Sequence, residues 1–176
     1  MEFIGEIIDS DVGLVSSEDK DAYHVRKAAR AIILNGNAKI ALLHVSQKNY
    51  HKLPGGGLEK AEDIQEALRR ETLEEVGIEI DVIDEVGMIM EFRDQYQLLQ
   101  ISYAYLAVAA KEVRCPEFTE DERKDGFVLK WVSMQEAMQL LEQDEPDDYT
   151  GKFIVARDRE LLAQAIVRYD KAARKM

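Results

Sequence analysis

The sequence predicts an α/β fold, an α/β/α sandwich in which helices pack on a mixed β-sheet. Strands occur in runs, and amphipathic helices interrupt them and close the chain, which favours such a layered arrangement. The 176 residues, 46% hydrophobic and 33% charged, are enough for one domain with its own core. No internal repeat, low-complexity tract or linker divides the chain. We therefore expect a single domain over residues 1–176, with a strand and loop extension at residues 1–25.

The first half of the chain predicts a strand, a hairpin, a glycine-rich loop and a helix. "EFIGEII" is typical of a short strand, and the polar "SSEDKD" that follows is typical of a solvated loop. "ARAIILNGNAKIALLHVS" places two β-rich runs around "NGN", which is the pattern of a β-hairpin. The loop "LPGGGLEK" leads into a helix from about residue 61 to residue 76, and Gly77 is its stop signal.

The second half predicts three strands and two helices. "IEIDVIDEVGMIMEF" and "LLQISYAYLAVAA" have strand composition and flank "RDQY". The acidic loop "PEFTEDERKDG" leads to the strand "FVLKWVS", which is followed by the amphipathic helix "MQEAMQLLEQ". After the loop "DEPDDYTG", a last helix is expected from roughly residue 153 to residue 173. Tyr103, Tyr105 and Trp131 are expected in the core rather than on a base-stacking surface.

Charge and composition limit the classes of function. A formal net charge of −12 argues against a protein that follows a nucleic-acid backbone, which needs a basic surface. The chain has no run of about 18 apolar residues, and its acidic start lacks the basic region of a secretory signal. The single cysteine, Cys115, allows no disulfide within the chain and suits the reducing cytoplasm. Its place beside a proline is typical of a loop or a strand end rather than of a nucleophile.

The predicted helix carries carboxylates where its apolar face would be expected to continue. That face is formed by Ile64, Ala67 and Leu68. At about 100° per residue, Glu71 and Glu75 point in nearly the same direction as Ile64, and Glu74 lies to one side of the same face. A buried carboxylate without a partner is costly or becomes protonated. A positive charge is therefore expected next to this part of the helix.

Three carboxylates clustered in this way suggest a divalent cation. Glu71, Glu74 and Glu75 are surface neighbours on a helix, and hard oxygen ligands suit Mg²⁺ or Mn²⁺. Arg70 stands four residues before Glu74 and can hold that carboxylate through its fork of donors. The glycines at 55–57 allow a backbone carbonyl to turn towards a metal. Taken alone, a Glu-rich run is usually a solvated face, and a glycine loop without the Gly-Lys-Ser/Thr ending of a P-loop is usually a turn.

Taken together, the glycine loop and the glutamates resemble the Nudix box. That signature reads Gly, five residues, Glu, seven residues, and then Arg-Glu-aliphatic-any-Glu-Glu-any-Gly-aliphatic. In this chain it begins at Gly56, continues at Glu62 and ends with "RETLEEVGI" at residues 70–78. Thr72 departs from the usual aliphatic residue at a packing position, and no candidate ligand departs from the pattern. The order of elements around the box also resembles the Nudix fold, which implies a Nudix-like α/β/α sandwich.

The resemblance implies a hydrolase that cleaves a nucleoside diphosphate linked to another group and that uses two or more Mg²⁺ (or Mn²⁺) ions. It implies that Glu71, Glu74 and Glu75 hold the metals, joined by a backbone carbonyl of Gly55 or Gly56. The expected partner is a nucleotide-type small molecule, with neither a nucleic acid nor a membrane involved. A homodimer is one option for the oligomeric state, which the sequence leaves open.

Other residues are candidates for the remaining catalytic roles. A glutamate that is not fully occupied by metal can take the proton of the attacking water, and Glu71 is one candidate. In many relatives a carboxylate in a later loop does this, and here Glu122 is favoured slightly over Glu120. Glu62 is more often a structural partner at the N-terminal end of the helix, where its charge suits the helix dipole.

Three residues are candidates for substrate contacts: His51, Arg93 and Tyr96. His51 precedes the glycine loop. Tyr96 lies 18 residues after the box, near the offset of a tyrosine found in dinucleoside polyphosphate hydrolases. Arg93 and Asp94 stand where ADP-ribose hydrolases carry a proline. Nucleoside triphosphates, nucleotide sugars and dinucleoside polyphosphates therefore all remain open as substrates. The alternative function is a Nudix-fold module that binds nucleotides without turnover, which the intact set of glutamates disfavours.

Overall fold

The computed structural model describes residues 1–16 and 23–173, and its strands form one seven-stranded sheet. The strands are β1 (Phe3–Ile7), β2 (His24–Leu34), β3 (Lys39–Val45), β4 (Tyr50–Lys52), β5 (Ile78–Arg93), β6 (Leu98–Glu112) and β7 (Phe127–Ser133). The helices are α1 (Ile64–Glu75), α2 (Glu120–Lys124), α3 (Met134–Gln143) and α4 (Tyr149–Ala173). The strand order is β1-β5-β6-β2-β3-β4, and β7 pairs with β3. Of the helices described, none has the length and apolar character needed to cross a membrane.

The sheet is mixed, as predicted. β1 pairs in parallel with β5, and β2 in parallel with β6, whereas β5 and β6 are antiparallel. The predicted hairpin is formed by β2 and β3, which are antiparallel. Its turn is held by the side chain of Asn35, whose Oδ1 accepts hydrogen bonds from the backbone N–H groups of Asn37 and Lys39 at 3.0 and 3.1 Å. An asparagine that bonds the backbone ahead of it is a common way to stabilise such a turn.

Helices cover both faces of the sheet, which confirms the α/β/α sandwich. On one face, α1 packs Ala67 and Leu68 into a core cluster with alternate residues of β2. On the other face, α3 contributes Leu141 and α4 contributes Phe153 and Leu161 to a second cluster around Ile32. The alternation of β2 between the two clusters follows from the two-residue period of a strand. Of the three aromatic residues predicted for the core, Tyr105 is a buried member of the α1-side cluster, and Tyr103 and Trp131 are partly buried and pack against it.

Helix α1 begins three residues later than predicted, at Ile64. Asp63 caps the helix, because its carboxylate accepts a hydrogen bond from the backbone of Glu66 while the side chain of Glu66 accepts one from the backbone of Asp63, both at 2.8 Å. This reciprocal pair satisfies backbone donors at the helix start. Ala61, the predicted start, has a φ of 67°, which is incompatible with a right-handed helix.

Three further elements differ from the prediction. The loop predicted between β6 and β7 contains the short helix α2, which Thr119 caps. Helix α4 begins at Tyr149, inside a segment predicted as a loop. The short strand β4 was not predicted, because three residues carry no periodic pattern and their strand character comes from pairing with β3. The predicted "SSEDKD" loop lies, from residue 17 onward, outside the described residues.

The glycine loop between β4 and α1 is held against β2. The carbonyls of Pro54 and Gly56 accept hydrogen bonds from the backbone N–H groups of Ala31 and Ala29 at 3.0 and 2.9 Å. These bonds fix the loop along the middle of β2, at the start of the segment that leads into α1. The fold therefore brings the two halves of the Nudix box into contact.

Candidate functional site

Arg70 connects the glutamates of the box. Its Nε and Nη2 donate to the two carboxylate oxygens of Glu62 at 2.9 and 3.0 Å, and Nη1 donates to Glu71 at 2.9 Å and to Glu74 at 3.2 Å. The hydrogen bonds to Glu62 are the largest cause of the raised pKa of Arg70. The fork of the guanidinium group thus binds Glu62 rather than Glu74, the partner expected from the sequence. A single nitrogen holds Glu71 and Glu74 next to each other.

Glu75 is buried and paired with a lysine. Only 1% of the residue is exposed. Its carboxylate accepts hydrogen bonds from Lys52 Nζ at 2.7 Å and from the backbone N–H of Gly55 at 2.5 Å. Burial raises the pKa of Glu75, the charge of Lys52 opposes this rise, and the nearby charge of Glu71 adds to it. Lys52 is a positive charge of the kind expected beside the acidic end of the helix.

The glycines of the loop allow a close approach to these carboxylates. Gly55 has a φ of 129°, which side-chain-bearing residues rarely adopt. A Cβ atom at Gly56 would lie 2.2 Å from Oε1 of Glu71, so a side chain there would displace this carboxylate. The carbonyl of Gly56 accepts the backbone hydrogen bond from Ala29, whereas the carbonyl of Gly55 accepts one from Lys52 Nζ at 3.3 Å. Of the two carbonyls predicted as ligands, that of Gly55 therefore faces the charged groups.

The donor set fits a divalent cation. Within residues 1–16 and 23–173, no three His, Cys, Asp or Glu side chains are arranged as a ready-made metal site, and the glutamates are held by Arg70 and Lys52 instead. The carboxylate of Glu75 and the carbonyl of Gly55 already share one cation, the ammonium group of Lys52. Carboxylate and carbonyl oxygens are the ligands that Mg²⁺ and Mn²⁺ take in proteins.

Lys52 was missed in the sequence. It is 8% exposed and lies in β4, the strand that was not predicted. A lone lysine before a glycine loop carries no pattern of its own. Its role follows only from the pairing of β4 with β3, which turns Lys52 and the adjacent His51 to opposite faces of the sheet.

His51 belongs to a different cluster of side chains. Its Nδ1 lies 3.0 Å from Oδ1 of Asp144, and its Nε2 lies 3.2 Å from Nζ of Lys130. Its ring stacks on that of His44, with the ring centroids 4.4 Å apart. The imidazole is thus engaged on both nitrogens by groups outside the Nudix box, and its role as a substrate contact stays a prediction.

The other two substrate candidates lie in different surroundings. Tyr96 is 44% exposed, and its ring meets that of Tyr149 edge-on with the centroids 5.1 Å apart. Arg93 is 5% exposed, bonds Glu91 at 2.6 Å and lies over the ring of Phe153. Tyr96 is open to solvent, whereas Arg93 is part of a buried network of charged groups.

The two candidate bases of the acidic segment are engaged locally. Glu122 accepts a hydrogen bond from the backbone N–H of Thr119 at 2.8 Å, as part of the cap of α2. The side chain of Glu120 is 82% exposed and lies 3.4 Å from Lys124. Neither carboxylate bonds to the glutamates of α1 in the described part of the chain. The segment itself does reach α1, because the backbone N–H of Glu117 donates to the carbonyl of Glu74 at 2.7 Å.

Comparisons with known proteins agree on the family. The NUDIX domain matches residues 24–152. A MutT NUDIX hydrolase from Burkholderia pseudomallei has a similar structure, with 22% identity and a TM-score of 0.57 over 80% of this chain and 98% of that chain. An Ap4A hydrolase from C. elegans has 17% identity and a TM-score of 0.55 over 83% and 99% of the two chains. A UDP-X diphosphatase has 20% identity and a TM-score of 0.54 over 86% and 68%. No curated protein matches the sequence.

The match to the NUDIX domain covers most of the chain, and the protein therefore belongs to the Nudix family. This confirms at the level of the family the prediction of a Nudix hydrolase, which was made from the spacing of the box. The structural similarities, all below 25% identity, confirm the fold.

Proposed function

We propose that this protein is a metal-dependent pyrophosphohydrolase that cleaves a nucleoside diphosphate linked to another group. One observation carries the proposal: the carboxylates of Glu71 and Glu74 share one guanidinium nitrogen, while Glu75 and the carbonyl of Gly55 share one ammonium group. Three carboxylates and one carbonyl of the Nudix box thus contact positively charged side chains at one end of α1. Family membership supports the type of reaction.

In this proposal Glu71, Glu74, Glu75 and the carbonyl of Gly55 hold the metal ions, with Gly56 closely packed against Glu71. Bound Mg²⁺ or Mn²⁺ would supply positive charge to the diphosphate and lower the pKa of a water molecule. The chain's own residues prepare the site by orientation. Arg70 positions two of the carboxylates, and the backbone N–H of Gly55 positions the third.

The substrate is a small nucleotide in all versions of the proposal. Two structural relatives are named for different compounds, one as an Ap4A hydrolase and one as a UDP-X diphosphatase, so dinucleoside polyphosphates and nucleotide sugars both stay candidate substrates of this protein. Nucleoside triphosphates remain a third option. His51, Arg93 and Tyr96 stay candidates for substrate contacts. The proposal also keeps a cytoplasmic location and leaves a homodimer open.

The test is a phosphate-release assay on a panel of these compounds, with Mg²⁺ or Mn²⁺ and with a chelator. We expect hydrolysis of at least one compound that stops when the chelator is added and resumes with excess metal. Nucleotide binding without any turnover would instead support the alternative, a non-catalytic module. Calorimetric titration with Mn²⁺ alone measures metal binding independently of activity, and the absence of binding would contradict the metal assignment.

Replacing Arg70 by lysine is expected to lower kcat by about tenfold or more, although the charge is kept. A lysine cannot bind Glu62 through two parallel hydrogen bonds and reach Glu71 and Glu74 at the same time. The loss corresponds to roughly 1.4 kcal/mol of barrier. Steady-state kinetics at saturating Mg²⁺ measure it, and Arg69→Lys on the exposed side of the same helix is the matched control.

Arg70 acts as a positioning residue, so the Mn²⁺ affinity of Arg70→Lys should also fall, as measured by calorimetry. Unchanged kinetics together with unchanged metal affinity would show that Arg70 has only a surface role.

Glu122→Gln is expected to lower kcat more than it raises KM if Glu122 takes the proton of the attacking water, because that role exists mainly in the transition state. Glu120→Gln is the comparison in the same segment, because the sequence favours Glu122 slightly over Glu120 as the base. Steady-state kinetics over a pH series measure both. If both variants hydrolyse substrate normally, the base is Glu71 instead, and Glu122 serves only as the cap of α2.

A further inference from the structure

Four arginines lie together on the face of the sheet that α4 covers. They come from three elements: Arg26 and Arg30 from β2, Arg93 from β5 and Arg157 from α4. We call them the arginine cluster. The charges of Arg93 and Arg157 reach Arg26, whose pKa is lowered first by burial and then by these two neighbours. Burial, followed by the charge of Arg157, lowers the pKa of Arg30 to about 10. Contacts agree with this, because Glu91 bonds Arg93 and Arg157 and also bonds Gln100, which bonds Arg26.

In the described residues, the carboxylates that form ion pairs with the arginine cluster are Glu91 and Asp158, while the charges of Glu71 and Glu75 act on Arg26 and Arg30 from farther away. Arg157 bonds both, at 3.4 and 2.7 Å, and Arg93 bonds Glu91 at 2.6 Å. Among the described residues, the other two arginines donate their hydrogen bonds to neutral groups. Arg26 donates to the amide oxygen of Gln100 at 2.6 Å, and Arg30 makes a long contact of 3.4 Å with the carbonyl of Ala29. In the described residues, four guanidinium groups are thus matched by two carboxylates within ion-pair distance, in a chain whose net charge is −12.

Within the described part of the chain, three donor atoms of the arginine cluster have no hydrogen-bond partner. They are Arg30 Nε, Arg93 Nε and Arg157 Nη2, all buried. The three residues are 5%, 5% and 0% exposed. A buried donor without an acceptor is costly, and more so when it is charged. An anion bound beside the arginine cluster would compensate part of this buried positive charge.

The arginine cluster adjoins the proposed metal site across one glycine. A Cβ atom at Gly57 would lie 2.4 Å from Nη2 of Arg26, so the guanidinium group packs directly on this glycine. The carbonyl of Gly57 accepts a hydrogen bond from Nη2 of Arg70 at 3.0 Å. Arg70 in turn holds Glu71 and Glu74. Arg26, the exposed member of the cluster, thus stands at the border between the carboxylates and the buried arginines.

We propose that the arginine cluster binds a phosphate group of the substrate that lies beyond the diphosphate at the carboxylates. This inference rests on the proposed function. Arg26 contacts the phosphate, and Arg30, Arg93 and Arg157 supply the positive potential behind it. Guanidinium groups match phosphate oxygens in pairs. The substrate class is therefore a compound with at least three phosphates, such as a nucleoside triphosphate or a dinucleoside polyphosphate, rather than a diphosphate sugar.

The first experiment measures anion binding without hydrolysis. Inorganic tripolyphosphate is titrated into the protein by calorimetry in metal-free buffer. We expect Arg26→Gln to raise the Kd about ten- to a hundredfold, the usual effect of losing a hydrogen bond to a charged group. Lys27→Gln is the matched control, because it removes the same charge from the next residue of β2, which points to the opposite face. Equal binding by wild type and Arg26→Gln would overturn the proposal.

The second experiment compares substrates that share one base. Beyond the shared diphosphate, UTP carries a third phosphate, UDP-glucose carries no further charge, and UDP-glucuronate carries a carboxylate. We expect kcat/KM to be highest for UTP and expect Arg26→Gln to reduce the ratio of UTP to UDP-glucose by about tenfold or more, with no change of this ratio in Lys27→Gln. If kcat/KM for UDP-glucuronate is as high as kcat/KM for UTP, the assignment of the site to phosphate is overturned.

The two experiments separate this inference from the proposed function. Arg26-dependent binding of tripolyphosphate without hydrolysis of any compound would overturn the proposed function and support the anion site. Hydrolysis of a panel compound without Arg26-dependent binding would overturn the anion site and leave the proposed function in place.

Discussion

Replacing Glu74 by glutamine is expected to lower kcat about 10²- to 10³-fold, roughly 2.7–4 kcal/mol of barrier, which is typical of losing one preorganised electrostatic group. Glutamine keeps the shape of the side chain and removes the negative charge that a cation needs. The fold should be unaffected, because the Glu74 side chain is 40% exposed and its bond to Nη1 of Arg70 is one of several that Arg70 makes.

The measurement is steady-state kinetics at saturating Mg²⁺, with circular dichroism to check the fold. Glu66→Gln is the matched control in the same helix. It makes the same chemical change at an exposed position, and a glutamine at this position can still complete the capping box with Asp63. The control should retain wild-type turnover. Wild-type turnover by Glu74→Gln would show that Glu74 is not a metal ligand.

Replacing Arg157 by methionine is expected to destabilise the protein by about 3–5 kcal/mol, the usual cost of removing one partner from a buried ion pair. Arg157 has no exposed surface and bonds both Glu91 and Asp158. Without it, the hydrogen-bond partner that Asp158 keeps among the described residues is the backbone N–H of Leu53, at 2.8 Å. In a chain of this size the Tm should fall by about 6–20 °C.

Urea unfolding measures this loss, and Arg159→Met, an exposed position on the same helix, is the control.

We expect the loss of stability in Arg157→Met to depend on pH. Burial alone would raise the pKa of Glu91, but the charges of Arg157 and Arg93 bring it below the ordinary value. Its contribution to stability is therefore present above the unfolded pKa and is lost as the pH falls through the folded pKa. The difference between wild type and Arg157→Met should narrow in acid, and a loss below about 1 kcal/mol at neutral pH would contradict the pairing.

Local patterns in the sequence were enough to predict the sheet, the two layers of helices and the position of the box. Strand alternation and helical spacing depend on residues close together in the chain, and tertiary contacts seldom reverse a long pattern of this kind. The glutamates at positions 71, 74 and 75 lie on one helix, so their proximity is fixed by the helix itself. The boundaries of α1 and α4 were less certain, because single caps and turns decide them.

Only the tertiary structure decided which cations meet these carboxylates and which charges are buried. Lys52 and Glu75 are 23 residues apart in the chain, and Lys52 reaches Glu75 because β4 pairs with β3. The arginine cluster joins β2, β5 and α4, whose members lie as far apart as residues 26 and 157. Strand alternation predicts the face on which such a residue lies but not its neighbour across the sheet, since that neighbour depends on strand order and register. The sequence by itself therefore determined the family and the acidic end of α1, whereas the partners of its charges came from long-range packing.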